Sequence, residues 1–600
     1  MVYGPFGAVW VTNVRRLFVN RCIIVAVSPY FIALCLPLPH VFRGLLFALR
    51  YSIFAIHLRR YEKILLLAVF IATFFVNNWV ILPDIMECRN IVTAREMVYD
   101  GHWLVPTMNG ELRLEKPPLP TWIVAAVEMV TPDDIVMQRA MSGLAALLLV
   151  FYVWMLAKRV LHIDPLLPTL LLCTCYNIIL MGRTATWDIY CHAFMMGAIY
   201  HLSVGLLAGR RRTVCFVVAG VYMGLSLMSK GPVSLYALFV PYVIAFAWLY
   251  RPAMRGKWLH VAAMVAVALV VGGWWYAYVY LFHADAMAQV VGKESGSWLN
   301  HNVRPWYYYW KFFLETGVWS LLLLSALLVP LWKRECRRNK GYMFSIVWTL
   351  AVLVLLSLLP EKKSRYLLPI LIPASLTMAF LLARWQTLFA EHRASKGDRG
   401  LFRANAGLVG VAVLAVPVVG WLFIGRTGAM PALLFAVVAV VMVGVAVYVG
   451  YAAVKLRPGA LLYAVTVLFV VAECMVLPYI DGLVNNPERS SIRATRDIAE
   501  LNGLSFYRNS EQTMRIEIAY EAGRKILPLD LGNADSLRAK LPCVLVTKSP
   551  PEQEIPQELW PELQVTRVGY YDDNRVARGH RRYDAHEFCH YVTLVSMKDE

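Results

Sequence analysis

Four short stretches of this 600-residue sequence set charged side chains where they could do chemistry. The first lies in segment 83–138, which holds nine acidic residues against Arg89, Arg95, Arg113 and Lys116. Asp84 and Glu87 are three positions apart, so a helix there puts both carboxylates on one face. Two close carboxylates push their pKa values apart, which suits proton transfer. A solvated helix end is the plainer reading of the same pair. Further on, Glu115-Lys116-Pro117-Pro118-Leu119-Pro120-Thr121-Trp122 makes a rigid corner. Each proline fixes its own φ and restricts its predecessor. The corner holds Glu115 and Lys116 at a fixed depth. A lysine so placed grips a phosphate, and a carboxylate takes a metal or orients that lysine. The remaining stretches are Arg183-Thr184-Ala185-Thr186-Trp187-Asp188, Ser229-Lys230-Gly231-Pro232, and Lys362-Lys363-Ser364-Arg365-Tyr366.

The elements that must position these residues are membrane helices. Hydrophobic residues make up 59% of the chain and charged residues 16%. A soluble domain averages about 45–50% and about 25%. Composition therefore excludes a soluble enzyme, a disordered chain and a coiled coil. Thirteen stretches are long and apolar enough to span a bilayer: 63–82, 139–160, 165–181, 187–207, 213–228, 232–250, 258–281, 315–332, 342–359, 366–383, 404–424, 430–450 and 459–479. Alternate gaps carry the basic clusters, including Lys333/Arg334/Arg337/Arg338/Lys340 and Arg384/Arg393/Lys396/Arg399/Arg403. The positive-inside rule makes those gaps cytoplasmic. The N-terminus is then inside and the C-terminus outside. The net charge of +19 is an orientation label and gives no reason to invoke nucleic acid. Lys230, Lys362, Lys363 and Arg365 lie on the wrong side for that rule, and phosphate binding explains them better.

The domain organisation follows. Residues 1–62 are a basic and apolar extension that adds a crossing, lies on the interface, or reflects an over-long start. Residues 63–479 form the transmembrane catalytic domain, with 83–138 as its first outer loop. Residues 480–600 have ordinary soluble composition and read as an outer α/β domain, with a helix-like run Met514–Ile526 and strand-like runs Cys543–Thr547 and Tyr591–Val595. Most of the eleven cysteines lie in apolar segments. Cys543 and Cys589 are a possible disulfide in an oxidising compartment.

The run from Glu87 to Trp122 resembles the first outer loop of the polyprenyl-phosphate-dependent GT-C glycosyltransferases. Within them it looks most like the aminoarabinose (lipid A) transferases and the protein O-mannosyltransferase-like family. Arg183 to Asp188 resembles the family's R-x-x-T-x-D turn. Ser229 to Pro232 resembles its lysine-glycine-proline turn, and Lys363 to Pro369 its late lysine/tyrosine segment. One departure stands out. The family shows an adjacent Asp-Glu pair where this chain has Met86-Glu87, so either Asp84 substitutes or Glu87 acts alone.

The resemblance implies a fold and a site. The fold is an α-helical polytopic membrane protein of GT-C type, with about thirteen transmembrane helices and a C-terminal extracytoplasmic α/β domain, in a bacterial inner membrane. The implied activity is inverting transfer of a sugar from a polyprenyl phosphate to an envelope lipid or protein. Lys116, Arg365, Tyr366, Lys230 and Lys363 would hold the donor phosphate, where charge builds as the sugar leaves. Asp84, Glu87 or Asp188 would take a proton from a hydroxyl acceptor, with Arg89 and Arg183 in support. An acceptor that is already an ionised phosphate needs no base. A divalent metal at Glu115, Glu294 or His301 is implied by resemblance alone, and no nucleotide cofactor is expected. A transporter is the rival from another class, but it predicts internal repeats, and none is visible.

Overall fold

The computed structural model describes residues 60–207, 212–300 and 302–598. Residues 1–67 and 68–600 are two compact units. The extension 1–62 lies almost wholly outside the described residues, as does His301.

Among the described residues, ten helices are long and apolar enough to cross a membrane. They account for ten of the thirteen expected spans. The other three segments are helical but short. Segment 63–82 yields helix Arg60–Phe74, which stops before Asn77, a residue in the left-handed region at φ 56°. Segment 165–181 breaks into Leu166–Cys173 and Tyr176–Gly182. The break falls at Thr174, whose hydroxyl donates back to the Leu170 carbonyl, an alternative to regular helix that threonine offers. Segment 232–250 starts at Gly231-Pro232 and contains a π turn at Leu235–Phe239 before helix Val240–Tyr250.

The first loop is well structured. Helix α1 (Ile85–Tyr99) buries most of its length and leads through hairpin β1–β2 (Thr107–Met108 and Glu111–Leu112) to the proline corner. Helix α2 (Leu119–Val130) begins there, with Pro120 in its first turn. Proline is tolerated at that position because the first amides have no helical partner. Spanning helices α3 (Ile135–Leu156), α4 (Trp187–Leu207) and α5 (Arg212–Lys230) follow.

The C-terminal segment carries a five-stranded mixed sheet flanked by short helices. Its sheet runs β4-β3-β5-β7-β6 (Ile526–Leu529, Ser505–Asn509, Cys543–Thr547, Cys589–Met597, Leu563–Asp572). The two sequence-read strands are neighbours, with Cys543 opposite Val595 and Thr547 opposite Tyr591. Strand β5 is central and buried throughout, which is why Cys-Val-Leu-Val-Thr shows no alternation. The helix-like run is shorter than expected, a single helix α6 (Ile516–Ala522) ended by Gly523 at φ 73°. Cys543 and Cys589 are both free and buried. Cys543 faces Val595, six residues along β7 from Cys589. At about 3.3 Å per residue that separates them by about 20 Å, so the disulfide does not form.

This unit is seated on the first loop. The carboxylate of Asp133 receives Arg95, Arg493 and Arg496. The Arg95 guanidinium lies 4.9 Å over the Tyr520 ring. Asn109 makes a two-way backbone bond with Ile526 at the free edge of β4: its Nδ2 donates to the Ile526 carbonyl and its Oδ1 accepts from the Ile526 amide, both at 2.8 Å. Burial pushes the Asp133 carboxyl up, but the three arginines outweigh it and hold it below the ordinary aspartate range.

Candidate functional site

The first-loop helix is set by Asp84. Its carboxylate is the N-cap of α1 and accepts from the Met86 and Glu87 amides at 3.0 and 2.9 Å. Asp84 is exposed, so the structure gives it a capping position, apart from the chemistry considered below. Glu87 is fully buried. Its two oxygens accept from Arg139 Nε and Nη2 at 2.7 and 2.8 Å, and one also accepts the Ala185 amide at 2.9 Å. Arg139 adds bonds to the Asn78 and Ile81 carbonyls. This bidentate pair ties α1, α3 and the 183–186 turn together. Arg183 has a similar part: it pairs with Glu473 at 2.7 Å and donates to the Ala72, Thr73 and Val76 carbonyls. Asp84 and Glu87 are therefore not a pair of facing carboxylates, and Arg183 faces structural partners.

A second constellation gathers the other motifs. Arg113, just past β2, donates to the Arg89 carbonyl at 2.6 Å and to Thr93 Oγ1 at 2.7 Å, and its guanidinium lies 4.7 Å over the Trp187 ring. Burial pulls this guanidinium down to about 10, still charged at neutral pH. The corner that follows is locked to α1 and to the 183–186 turn through Asn90. Thr121 Oγ1 donates to Asn90 Oδ1 at 2.7 Å, and Asn90 Nδ2 donates to the Ala185 carbonyl at 2.8 Å. So fixed, Lys116 meets Glu294 at 3.3 Å. Burial lowers the Lys116 ammonium below the ordinary lysine value; Glu294 opposes this, and the nearby Lys230 and Arg113 charges reinforce it.

Lys230 ends α5 and forms a buried ion pair with Asp188 in the first turn of α4. Gly231 turns the chain there at φ 67°, and a Cβ at that position would meet Tyr276 Oη at 3.0 Å. The late motif closes the group. Three cations surround the Tyr366 ring: Lys230 at 5.4 Å, Lys363 at 5.7 Å and Arg365 at 6.0 Å. Lys363 also pairs with Glu361 at 2.5 Å, and Tyr366 Oη donates to Glu361 at 3.4 Å. Arg365 is also an electrostatic neighbour of Asp188. Counting Arg89, Arg113, Lys116, Lys230, Lys363 and Arg365 against Glu115, Asp188, Glu294 and Glu361, cations lead six to four.

Three buried atoms in this group have no hydrogen-bond partner among the described residues: Arg89 Nε, Arg365 Nε and Glu115 Oε2. Buried polar atoms are rarely left so, because each costs the full desolvation of the group. Two donors and one acceptor are thus available to a ligand that is negative at one point and donates hydrogen bonds at another.

Of the three expected metal ligands, His301 lies outside the described residues and the two carboxylates are ion-paired. Glu115 faces Lys293 at 3.8 Å and Glu294 faces Lys116, so each carboxylate has a cation for a partner. Among the described residues, the one group spaced to hold a metal is Glu96, Asp100 and His102. Glu96 is already engaged by Thr107 and by the Asn109 and Gly110 amides, and Asp100 by Lys525. Sequence reasoning missed Arg139, Glu361 and the packing role of Arg113. The expected span 139–160 opens on Arg139, and a charge at a span boundary was the one signal available for it.

Comparison with known proteins finds a matching family and several similar chains. Residues 115–276, which include Lys116, Asp188 and Lys230, match the dolichyl-phosphate-mannose-protein mannosyltransferase family. An undecaprenyl phosphate-alpha-4-amino-4-deoxy-L-arabinose arabinosyl transferase 1 of Pseudomonas fluorescens (strain Pf0-1) is 26% identical over 357 residues, 56% of this chain and 59% of that protein. A Pseudomonas aeruginosa (strain UCBPP-PA14) transferase of that type is 26% identical over 354 residues, 56% of this chain and 62% of its own length. The chain thus spans about three-fifths of the length of these curated relatives. The crystal structure of ArnT from Cupriavidus metallidurans bound to undecaprenyl phosphate superposes with a TM-score of 0.62 at 18% identity, over 88% of this chain and 96% of that one. The fold is that of a GT-C glycosyltransferase. The resemblance carried by the four motifs is borne out, and the motifs sit together on one face of the GT-C fold.

Proposed function

We propose that the chain is an inverting membrane glycosyltransferase that moves a sugar from a polyprenyl-phosphate donor to a phosphate-bearing envelope lipid of lipid A type. The observation that carries this reading is the cation surplus around Lys116, Lys230, Arg365 and Tyr366, with Arg89 Nε and Arg365 Nε buried and unpartnered. The bond from the sugar's anomeric carbon to the donor phosphate breaks, and a bond to the acceptor oxygen forms from the opposite face. The electron pair and the growing charge go to the polyprenyl phosphate, where fixed cations stabilise them. The donor's isoprenoid tail lies among the spanning helices. Glu115 Oε2, an acceptor lacking a donor, suits a hydroxyl or ammonium on the sugar.

The acceptor class follows from the carboxylates. Asp84 caps α1, Glu87 is held by Arg139, and Asp188 is held by Lys230. None stands ready to take a proton, which favours an acceptor that is already ionised over a protein hydroxyl. The motif face and the C-terminal α/β unit are then extracytoplasmic, with the basic loops inside. The test incubates the purified chain with polyprenyl-phosphate sugars and either lipid A or a serine/threonine peptide, with product identified by mass spectrometry. Transfer to lipid A is expected, falling about 10²–10³-fold in Lys116→Met. Transfer to the peptide alone, or full activity of Lys116→Met, would remove this reading.

A further inference from the structure

Away from the motif cluster, a cavity of about 500 Å³ opens at the far ends of spanning helices α7 (Ser320–Trp332) and α9 (Leu368–Ala390), where α10 (Lys396–Gly420) begins. Helix α8 (Lys340–Leu358) connects them. The spans containing α7 and α9 start at Trp306 and Ser364 beside the motif cluster and end at this cavity. Arg365 in the cluster and Arg384 in the cavity lining are nineteen positions apart along the span that contains α9, which puts the two sites about 30 Å apart.

The cavity is lined by Lys333, Arg334, Arg384 and Arg393 against Glu335 and Asp398. The acids are already engaged. Arg384 pairs with Glu335 at 2.5 Å and with Asp398 at 2.7 Å, and Lys333 adds a contact to Asp398 at 3.4 Å. Arg393, exposed, pairs among the described residues with Glu391, which is outside the lining. Arg334, also exposed, has no ion pair or hydrogen bond among the described residues. The apolar part of the wall is Trp332, 58% exposed, with Leu388. An exposed tryptophan closing a spanning helix marks the headgroup level of the bilayer. A concave basic site at that level is the arrangement that takes anionic lipid headgroups.

We infer that this cavity binds the phosphate of an anionic phospholipid headgroup, with Arg334 and Arg393 as the direct contacts and Arg384 holding the wall. The site is independent of the sugar-transfer reading and stands whether or not that reading does.

The test is native mass spectrometry of the full chain equilibrated with equal amounts of phosphatidylglycerol and phosphatidylcholine. Wild type should retain phosphatidylglycerol about tenfold over phosphatidylcholine. The double variant Arg334→Ala/Arg393→Ala should lose that preference, and Arg337→Ala/Arg338→Ala, exposed residues of the same basic turn outside the cavity lining, should keep it. A parallel arm adds sn-glycerol-3-phosphate alone. Binding of that soluble ester, lost in the same double variant, would make the source a soluble phosphate; retention of the lipid only makes it the membrane. Equal retention of both lipids by wild type, or equal loss in both double variants, overturns the inference. The first would show no headgroup recognition and the second a diffuse charge effect.

Discussion

Two charged constellations lie close together on one face of this molecule and are built on opposite principles. Within the Glu87–Arg139 pair every side-chain nitrogen and oxygen is matched: two parallel bonds between guanidinium and carboxylate, a backbone amide on the acid and two carbonyls on the base. Around Lys116, Lys230 and Tyr366 cations outnumber acids, and Arg89 Nε, Arg365 Nε and Glu115 Oε2 are buried without partners. A closed ion pair has nothing to offer a ligand. An open one is costly in the free protein and gains when a phosphate arrives. Residue type alone does not separate the two, since both join basic side chains to carboxylates in apolar surroundings.

Breaking the closed pair is the harshest way to test this contrast. Arg139→Ala should destabilise the chain by about 3–5 kcal/mol, because it strands the buried Glu87 carboxylate. The double change Glu87→Met/Arg139→Met should regain most of that, since removing both partners removes the uncompensated charge. Thermal unfolding in detergent measures both. A double variant as unstable as the single one would give the pair a role beyond mutual neutralisation.

Glu87→Gln sharpens the comparison at smaller cost. The amide keeps an acceptor for the Ala185 N–H but leaves the buried Arg139 charge without its counter-ion, so a loss of about 3 kcal/mol is expected, the low end for a broken buried pair, with transfer per folded molecule within tenfold of wild type. Single-turnover rates normalised to folded protein check this. A fall of a thousandfold would return Glu87 to the role of base. Smaller again is Asn109→Ala, which removes two bonds from the edge of β4. It should cost about 1–2 kcal/mol and speed proteolysis of the C-terminal unit, while barely moving the rate.

These contrasts also show what the sequence could carry. Lys116, Lys230, Lys363 and Arg365 were legible because charge is rare in so apolar a chain and because all four fall on one side of the charge-derived topology. The central strand β5 and its partner β7 were legible as β-branched runs. What could not be read was the choice of partner. Glu87 and Arg139 are 52 positions apart, and nothing local says that this carboxylate meets an arginine instead of Asp84. The same limit applies to Glu115 and Glu294: each approaches the other's loop and meets a lysine there. Spans 63–82 and 165–181 look long by hydropathy. Asn77 and Thr174 end or break them through backbone conformation and hydroxyl bonding, to which hydropathy is blind.

The open constellation's claim on a phosphate is tested most directly by binding of undecaprenyl phosphate, without sugar, to the purified chain across neutral to alkaline pH. Burial and the neighbouring Lys230 and Arg113 charges lower the Lys116 ammonium, with only Glu294 opposing. Lys116 therefore sheds its proton below the ordinary lysine value of 10.5. The phosphate is already fully ionised above neutrality, so its own titration does not contribute. Affinity should fall as pH rises and begin to fall before that value is reached. Lys116→Met should bind at least tenfold more weakly at neutral pH, with a flatter profile. Equal affinity in wild type and Lys116→Met, or a wild-type profile flat up to pH 10.5, would contradict the account.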